Sequence, residues 1–331
     1  LILLYIGAIF AEFIAPYEKN YRVPDAQLSA PTTVHIFEPN EGFSQPFVFA
    51  MNKELDTKTF TYKTVINRDE KWHLRFFVKT DPYKLLGFIP VSYRLFGVDS
   101  GYIALFGTDN LGMDIFSQTL YASRISLSIG LVGVAISFVL GVILGGISGY
   151  FGGRIDSIIQ RIIEFVISLP QLPLWIALSA SFPNRWTGIQ TFFALTIVLS
   201  LVGWTTLARV VRGRLISMRE EDYIMAARVY GASDARIITR HMLPGFMSYL
   251  VVSITLAIPA MILGETTLSF LGVGILPPEV SWGAMLREAN DLTLIANYPW
   301  HLAPCIFVIL AVLAFNFVGD GLRDAADPYS R

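Results

Sequence analysis

Charge is scarce in this 331-residue chain: Asp, Glu, Lys and Arg make up 15% of it against 53% hydrophobic residues, and mean hydropathy is +0.54. Soluble domains carry about 25% charged residues, so the shortage excludes an ordinary soluble protein and points to a membrane protein. Neither sign is in surplus, with 25 Lys+Arg against 26 Asp+Glu. That balance removes both the basic surface that nucleic-acid binding needs and the acidic run of a solvating tail. Cysteine is nearly absent: Cys305 alone excludes an internal disulfide, and in its apolar run it reads as a small packed hydrophobe. The four histidines, His35, His73, His241 and His301, are scattered without ligand spacing, and no HExxH, CxxC or GxSxG occurs. The glycine-rich stretch Gly145–Gly153 lacks the Lys-Ser/Thr of a phosphate-binding loop. The inventory therefore contains no catalytic set, no metal site and no ATP site.

What is abundant is long apolar runs. Leu1 to Ala15 spans only about 22 Å as a helix, short of the roughly 30 Å hydrocarbon core, so residues 1–16 read as a truncated first transmembrane helix. The run has no charged n-region, which is unlike a cleavable signal peptide, and the numbered chain is expected to start inside a longer protein. Five further runs approach spanning length: Ile125 to Tyr150, Ile158 to Phe182, Thr191 to Val211, Phe246 to Leu271 and Trp300 to Gly319. Pro170 and Pro173 interrupt the second of these and are expected to kink the span, not break it. The fold expected is an all-α six-span membrane bundle.

Arginines set the orientation. Arg209, Arg212, Arg214, Arg219, Arg228, Arg236 and Arg240 crowd the loop between the fourth and fifth spans, which marks it as cytoplasmic. Counting outward from it places the loop with Arg154 and Arg161, and the tail with Arg323 and Arg331, on the same side. Both termini are then cytoplasmic in a multi-pass membrane protein. By the same parity residues 17–123 are external.

That external segment is polar, and all seven lysines fall within it, between Lys19 and Lys84. Thr33 to Phe37, Phe47 to Met51, Phe60 to Ile66 and Trp72 to Lys79 are β-rich runs separated by Pro, Asn, Gly and Asp. Trp72, Leu74, Phe76 and Val78 alternate with His73, Arg75, Phe77 and Lys79, as along a half-buried strand. A small β-rich subdomain is expected over about residues 31–98, between spans one and two, serving as a dock for an external partner or as a lid. Residues 124–331 form the five-helix core.

Within that core, Gly133, Ser137, Gly141, Gly145, Gly149 and Gly153 put a small residue at every fourth position, on one helix face. Such a stripe lets another backbone approach closely; static packing and a moving seam share the same residues. Ionisable groups inside spans are functional candidates. Glu164 follows Arg161 by three and reads as an interfacial pair. Glu265 fits helix–helix hydrogen bonding and a solvated translocation path equally well.

The loop from Arg212 to Gly245 is the most informative stretch. Tyr223 to Tyr230 is a good helix former, Gly231 supplies a left-handed stop, Ser233 can cap a second helix, and Pro244 ends it. Ile224, Ala227, Ile237, Ile238, His241 and Met242 recur at helical spacing between arginines, giving an apolar and a basic face. An apolar face of this kind lies on a bilayer surface or docks on a soluble partner.

This segment resembles the EAA loop of ABC-importer permeases: Ala226, Ala227, Gly231, Leu243 and Pro244 fall on its pattern, while Met225 stands where the family has Glu and His241 where it has Ile. Gly107 to Gly130, GTDNLGMDIFSQTLYASRISLSIG, resembles the signature before the second span of the C-type subunits of the oligopeptide, dipeptide and nickel group, with Met113, Gln118 and Ala122 replacing Arg, Arg and Gly. Ser269 to Leu286 and Phe315 to Arg331 resemble the outer loop and C-terminus of the same subunits.

The resemblance implies the six-span fold of type I ABC importers, a permease subunit that is not itself an enzyme, and transport of oligopeptides or dipeptides. Nickel complexes or sugars, and a receptor of the same fold, remain as alternatives. Its implied partners are a homologous second permease in a heterodimer, two cytoplasmic ATPase subunits carrying ATP and Mg, and an external solute-binding protein. On that reading Tyr223, Ala226, Ala227, Arg228, Gly231, Arg236, Leu243 and Pro244 couple to an ATPase.

Overall fold

A computed structural model describes residues 1–38, 42–56, 61–183 and 185–326. In chain order its elements begin with helices α1 (Ile2–Ile9) and α2 (Ala11–Ile14) and strands β1 (His35–Glu38), β2 (Gly42–Asp56), β3 (Thr61–Leu85) and β4 (Ile89–Val98). Helices α3 (Ile115–Phe151), α4 (Gly153–Ser168), α5 (Gln171–Ala180), α6 (Gly188–Met218), α7 (Asp222–Val229), α8 (Asp234–Arg236) and α9 (Met247–Phe270) follow. The last are α10 (Trp282–Leu286), α11 (Leu292–Asn297) and α12 (Ala303–Ala326). The chain divides into two units, one of Leu1–Ser126 with Ile275–Ile309 and one of Leu127–Gly274 with Leu310–Arg331.

Four helices among the described residues are long and apolar enough to cross a membrane: Ile115–Phe151, Gly188–Met218, Asp234–Phe270 and Pro299–Ala325. A fifth crossing is counted only if α4 and α5 form one span, and they meet at 85°. Among the described residues, then, four or five of the six expected spans are seen. The N-terminal run is interrupted at Phe10, leaving helices of 8 and 4 residues, below spanning length. Pro170 makes the expected kink a break: Leu169 and Pro170 are both extended (ψ 133° and 120°), and the Pro170 ring disfavours the α conformation at Leu169 before it.

Helix starts follow local chemistry. Asp114 stands just before α3, and its Oδ2 accepts from the Ser117 amide at 2.8 Å, so α3 begins ten residues before the expected Ile125. Thr187 and Gln190 form a capping box that opens α6.

In the first unit the strands form one antiparallel meander, β1-β2-β3-β4. Its core gathers Val48, Ala50 and Trp72 with Val23, Ala26, Tyr102, Ile103 and Ala104 from the flanking loops. Gly101 lies under the Trp72 ring with φ +67°, and a Cβ there would meet the ring at 2.4 Å. The third and fourth expected β runs are a single strand, β3, which passes the polar Asn67–Glu70 stretch by a register shift opposite Phe49/Ala50; Phe60 lies outside the described residues. Alternation holds at Trp72 and Leu74, which face the core, and fails at Phe76 and Phe77, both exposed, where Phe77 takes φ +55°. Strand β4 was not expected, since Pro90 and Gly97 mask it. Trp282 of α10 is buried against α3, its Nε1 donating to the Thr119 carbonyl at 3.1 Å.

In the second unit the small-residue stripe of α3 seats α6. A Cβ on Gly145 would lie 2.4 Å from the Ala208 carbonyl oxygen, and one on Gly149 would lie 2.6 Å from that of Arg212. Gly141 meets Leu207, while Ser200 Oγ donates to the Gly133 carbonyl at 3.0 Å and Ser137 Oγ to the Ser200 carbonyl at 3.3 Å. Gly153 leaves the stripe: it has φ +57° and nothing within 4 Å of its Cβ position.

Candidate functional site

The Arg212–Gly245 loop is built by strong local signals. Helix α7 ends in a Schellman motif: the Gly231 amide donates to the Arg228 carbonyl and the Ala232 amide to that of Ala227, each at 3.0 Å. Gly231 takes φ +78°, the left-handed conformation that the motif requires. Ser233 Oγ then accepts from the Arg236 amide at 3.4 Å and opens α8. Pro244 does not end the second helix. A π turn (Ile237–Met242) and a 3-10 turn (Leu243–Phe246) carry the chain straight into α9; Pro244 is accommodated in the first turn of that 3-10 segment, where the regular α-helical ladder is already interrupted.

The apolar face is spent within the chain. Ile224, Ile237 and Met242 are fully buried with Val211 and Leu215 of α6, Tyr150 of α3, and Phe246 and Leu250. Ala227, Ile238 and Leu243 pack half-buried against the same cluster. This face therefore covers neither a bilayer nor a soluble partner. What the loop presents outward is another surface: Val229 and Tyr230 are 86% and 90% exposed, and Tyr223, Met225 and Ala226 are exposed beside them. Arg228, Arg236 and Pro244 are exposed as well.

Three polar contacts fix the loop and its neighbours. Tyr150 Oη donates to Asp234 Oδ1 at 2.6 Å. The Arg228 guanidinium lies 5.4 Å from the centre of the Tyr150 ring. Arg212 grips Asp156 with two prongs, Nε–Oδ1 2.5 Å and Nη2–Oδ2 2.6 Å, tying α6 to α4. Sequence reasoning did not single out Tyr150 or Asp156. Their signal is faint, since each is an isolated polar residue at a helix end.

Glu265 is fully buried, and its Oε1 accepts from Ser269 Oγ at 2.7 Å one turn along α9. In this conformation it sits in helix packing. Glu164 pairs with Arg161 at 3.0 Å on an exposed helix face.

The first unit carries a second polar group that the GTDNLGMD stretch signals. Asp109 Oδ1 accepts from the Leu111 and Met113 amides, both at 2.8 Å, and its Oδ2 from Gln118 Nε2 at 3.2 Å. Burial raises the Asp109 carboxyl above its usual range and pushes that of Asp114 up to about 7, although Ser117 donates to Asp114 twice. Glu288 is also pushed up to about 7 by burial and by Asp109. Among the described residues no three His, Cys, Asp or Glu side chains come together as metal ligands.

Comparison with known proteins gives these shapes a context. Residues 137–331 match the family described as binding-protein-dependent transport system inner membrane component. The chain is 44% identical over 227 residues to the dipeptide transport system permease protein DppC of Bacillus subtilis (strain 168), covering 68% of this chain and 69% of that one. It is 38% identical over 227 residues to the oligopeptide transport system permease protein OppC of the same organism, 68% and 72% of the two chains. Among solved structures, an inward-facing form of the MetNI methionine ABC transporter shares the fold with a TM-score of 0.51 at 17% identity, over 64% of this chain and 98% of that one.

Proposed function

The chain belongs to the family of binding-protein-dependent transport system inner membrane components, and from that premise we propose that it is one of two homologous permeases lining the path of an ATP-driven peptide importer. The family makes it a multi-pass permease and not itself an enzyme. The names of its dipeptide and oligopeptide relatives support a peptide cargo. The assembly we infer adds a second permease, two cytoplasmic ATPase subunits that hold ATP and Mg, and an external solute-binding protein. In this orientation both termini and the 212–245 loop are cytoplasmic, and the sheet is an external insertion between the first span and α3.

One observation carries the coupling role: the loop has already buried its apolar face and still exposes Tyr223, Met225, Val229 and Tyr230. A soluble helical face that keeps two aromatic side chains and a methionine in water fits a partner's cleft, since such residues are the ones enriched at protein interfaces. Closure of an ATPase against this face is passed on because Ile224, Ile237 and Met242 are packed on α6, and the π and 3-10 turns run without a break into α9. The loop thus moves with the helices, and nucleotide binding favours one arrangement of the bundle over another.

The test is a Val229→Asp/Tyr230→Asp double variant in the reconstituted transporter. Because both side chains are exposed, membrane insertion is expected to be unchanged. Uptake of a labelled dipeptide is expected to fall by about tenfold or more, as when hot-spot aromatics are lost from an interface, and ATP hydrolysis to lose its stimulation by loaded binding protein. Normal uptake in this variant overturns the coupling assignment, and accumulation of a nickel complex or sugar in place of peptide overturns the cargo.

A further inference from the structure

We propose that the turn of the β3–β4 hairpin is a membrane-interface anchor that seats Leu86, Phe88 and Ile89 at the headgroup level of the bilayer. Three contacts set the hairpin's course along α3. The Phe96 ring lies 6.1 Å from that of Phe116 in the first turn of α3. Further along β4, Arg94 is buried, donates to the Ala15 carbonyl at 2.8 Å, hydrogen-bonds Tyr121 of α3, and lies 5.1 Å from the centre of the Tyr83 ring. Further still, Tyr83 and Lys84, which pair with Val91 and Pro90, line one cleft with Arg124 and Ile125 of α3 and Glu12 of α2. Strand and helix therefore run side by side, and the turn lies beyond the level of Ile125.

The length of α3 says what that level is. On the permease reading, on which this placement rests, α3 is a membrane span. From Phe116 to Ile125 is about 14 Å of helix. The residues that follow, Ser126 to Phe151, supply about 39 Å, enough for the whole hydrocarbon core of about 30 Å. The core thus fits below Ile125, and the turn beside and just past it meets the headgroup layer.

The turn is also composed for that layer. Phe88 is 71% exposed, Leu86 43% and Ile89 42%, an apolar cluster at a tip where water-facing hairpins carry polar residues. Leu86 holds φ +54°, a conformation that glycine or asparagine adopts more easily, so the position keeps a large apolar side chain against its backbone preference. Lys84 and Tyr93 stand exposed on either side, with the long stem and amphipathic ring that reach between headgroups and water. Apolar side chains dipping a few ångström into the boundary with cationic and tyrosine flanks are the pattern of interfacial segments.

The test uses the assembled transporter in phosphatidylcholine proteoliposomes, with Cys305→Ala as background. Single cysteines Phe88→Cys, Gln45→Cys and Val139→Cys are labelled with an environment-sensitive fluorophore. Position 88 is expected to be quenched by a shallow nitroxide-labelled phosphatidylcholine and to be about fivefold less accessible to aqueous iodide than position 45, as interfacial seating requires. Equal iodide access at 88 and 45, with no quenching from lipid, overturns the anchor. Protection of 88 that arises only when an added binding protein is present also overturns it and gives the surface to that protein. Position 139, exposed on the α3 span of the single chain, reports separately: if deep nitroxide lipid fails to quench it and aqueous iodide reaches it freely, the permease reading itself fails.

Discussion

In the helical unit, Asp156 is held by the guanidinium of Arg212 in a two-pronged ion pair that joins α4 to α6. In the sheet-bearing unit, Asp114 and Asp109 are buried more deeply and are held by neutral donors: Ser117 for one, and the Leu111 and Met113 amides with Gln118 for the other. The same side-chain type thus does two jobs. Where two helices must be bolted together, a full opposite charge is spent on it. Where a loop and a helix start must be shaped, hydrogen bonds suffice, and burial then raises the carboxyl pKa.

Arg212→Ala is expected to have the largest effect on this contrast. It leaves the Asp156 charge without its partner in a partly buried site, and a loss of about 2 kcal/mol is expected, between exposed and fully buried pairs. Thermal unfolding of the detergent-purified protein checks it, with an apparent Tm drop of roughly 5 °C. Removing Asp156 in the same background is expected to recover part of the loss. A drop no larger than that of an exposed arginine variant breaks the contrast.

Asp114→Asn is expected to act in the other direction and less strongly. The folded carboxyl has a pKa of about 7, raised above its ordinary value. Its favourable contribution is therefore complete below about pH 4 and lost as pH rises through 7. The Asn variant, which still accepts from Ser117, should melt roughly 3 °C above the parent at pH 8 and with it at pH 4. A variant that melts lower at pH 8 shows that the ionised carboxylate is the form the fold needs.

Glu265→Gln is expected to change least. The amide oxygen can still accept from Ser269, whose bond to Glu265 lies within α9. Dipeptide uptake should stay within about twofold, the scale of one neutral hydrogen bond. A tenfold loss shows that the carboxylate charge itself serves the translocation path.

Much of the architecture was legible from local chemistry. Apolar run lengths found the long helices, and Gly231 and Ser233 marked the turn between α7 and α8, because each acts on its own backbone. Charge scarcity pointed to a membrane protein, and the family match agrees. What stayed hidden depends on distant partners. Pro244 reads as a stop, yet neighbouring π and 3-10 turns absorb it. Pro170 reads as a kink, yet both residues at the joint are extended. The periodic face of the loop was visible, but not that α6 and Tyr150 cover it. Nor does spacing reveal that Arg212 reaches Asp156, 56 residues earlier.

The account centres on the outward face of α7, and photo-crosslinking reads it most directly. A benzophenone amino acid is placed at Tyr230, 90% exposed, and in a second sample at Ile224, fully buried, in the intact transporter. A covalent product with an ATPase subunit is expected from position 230 and none from position 224. Products from position 230 with lipid alone, and no ATPase adduct, contradict it.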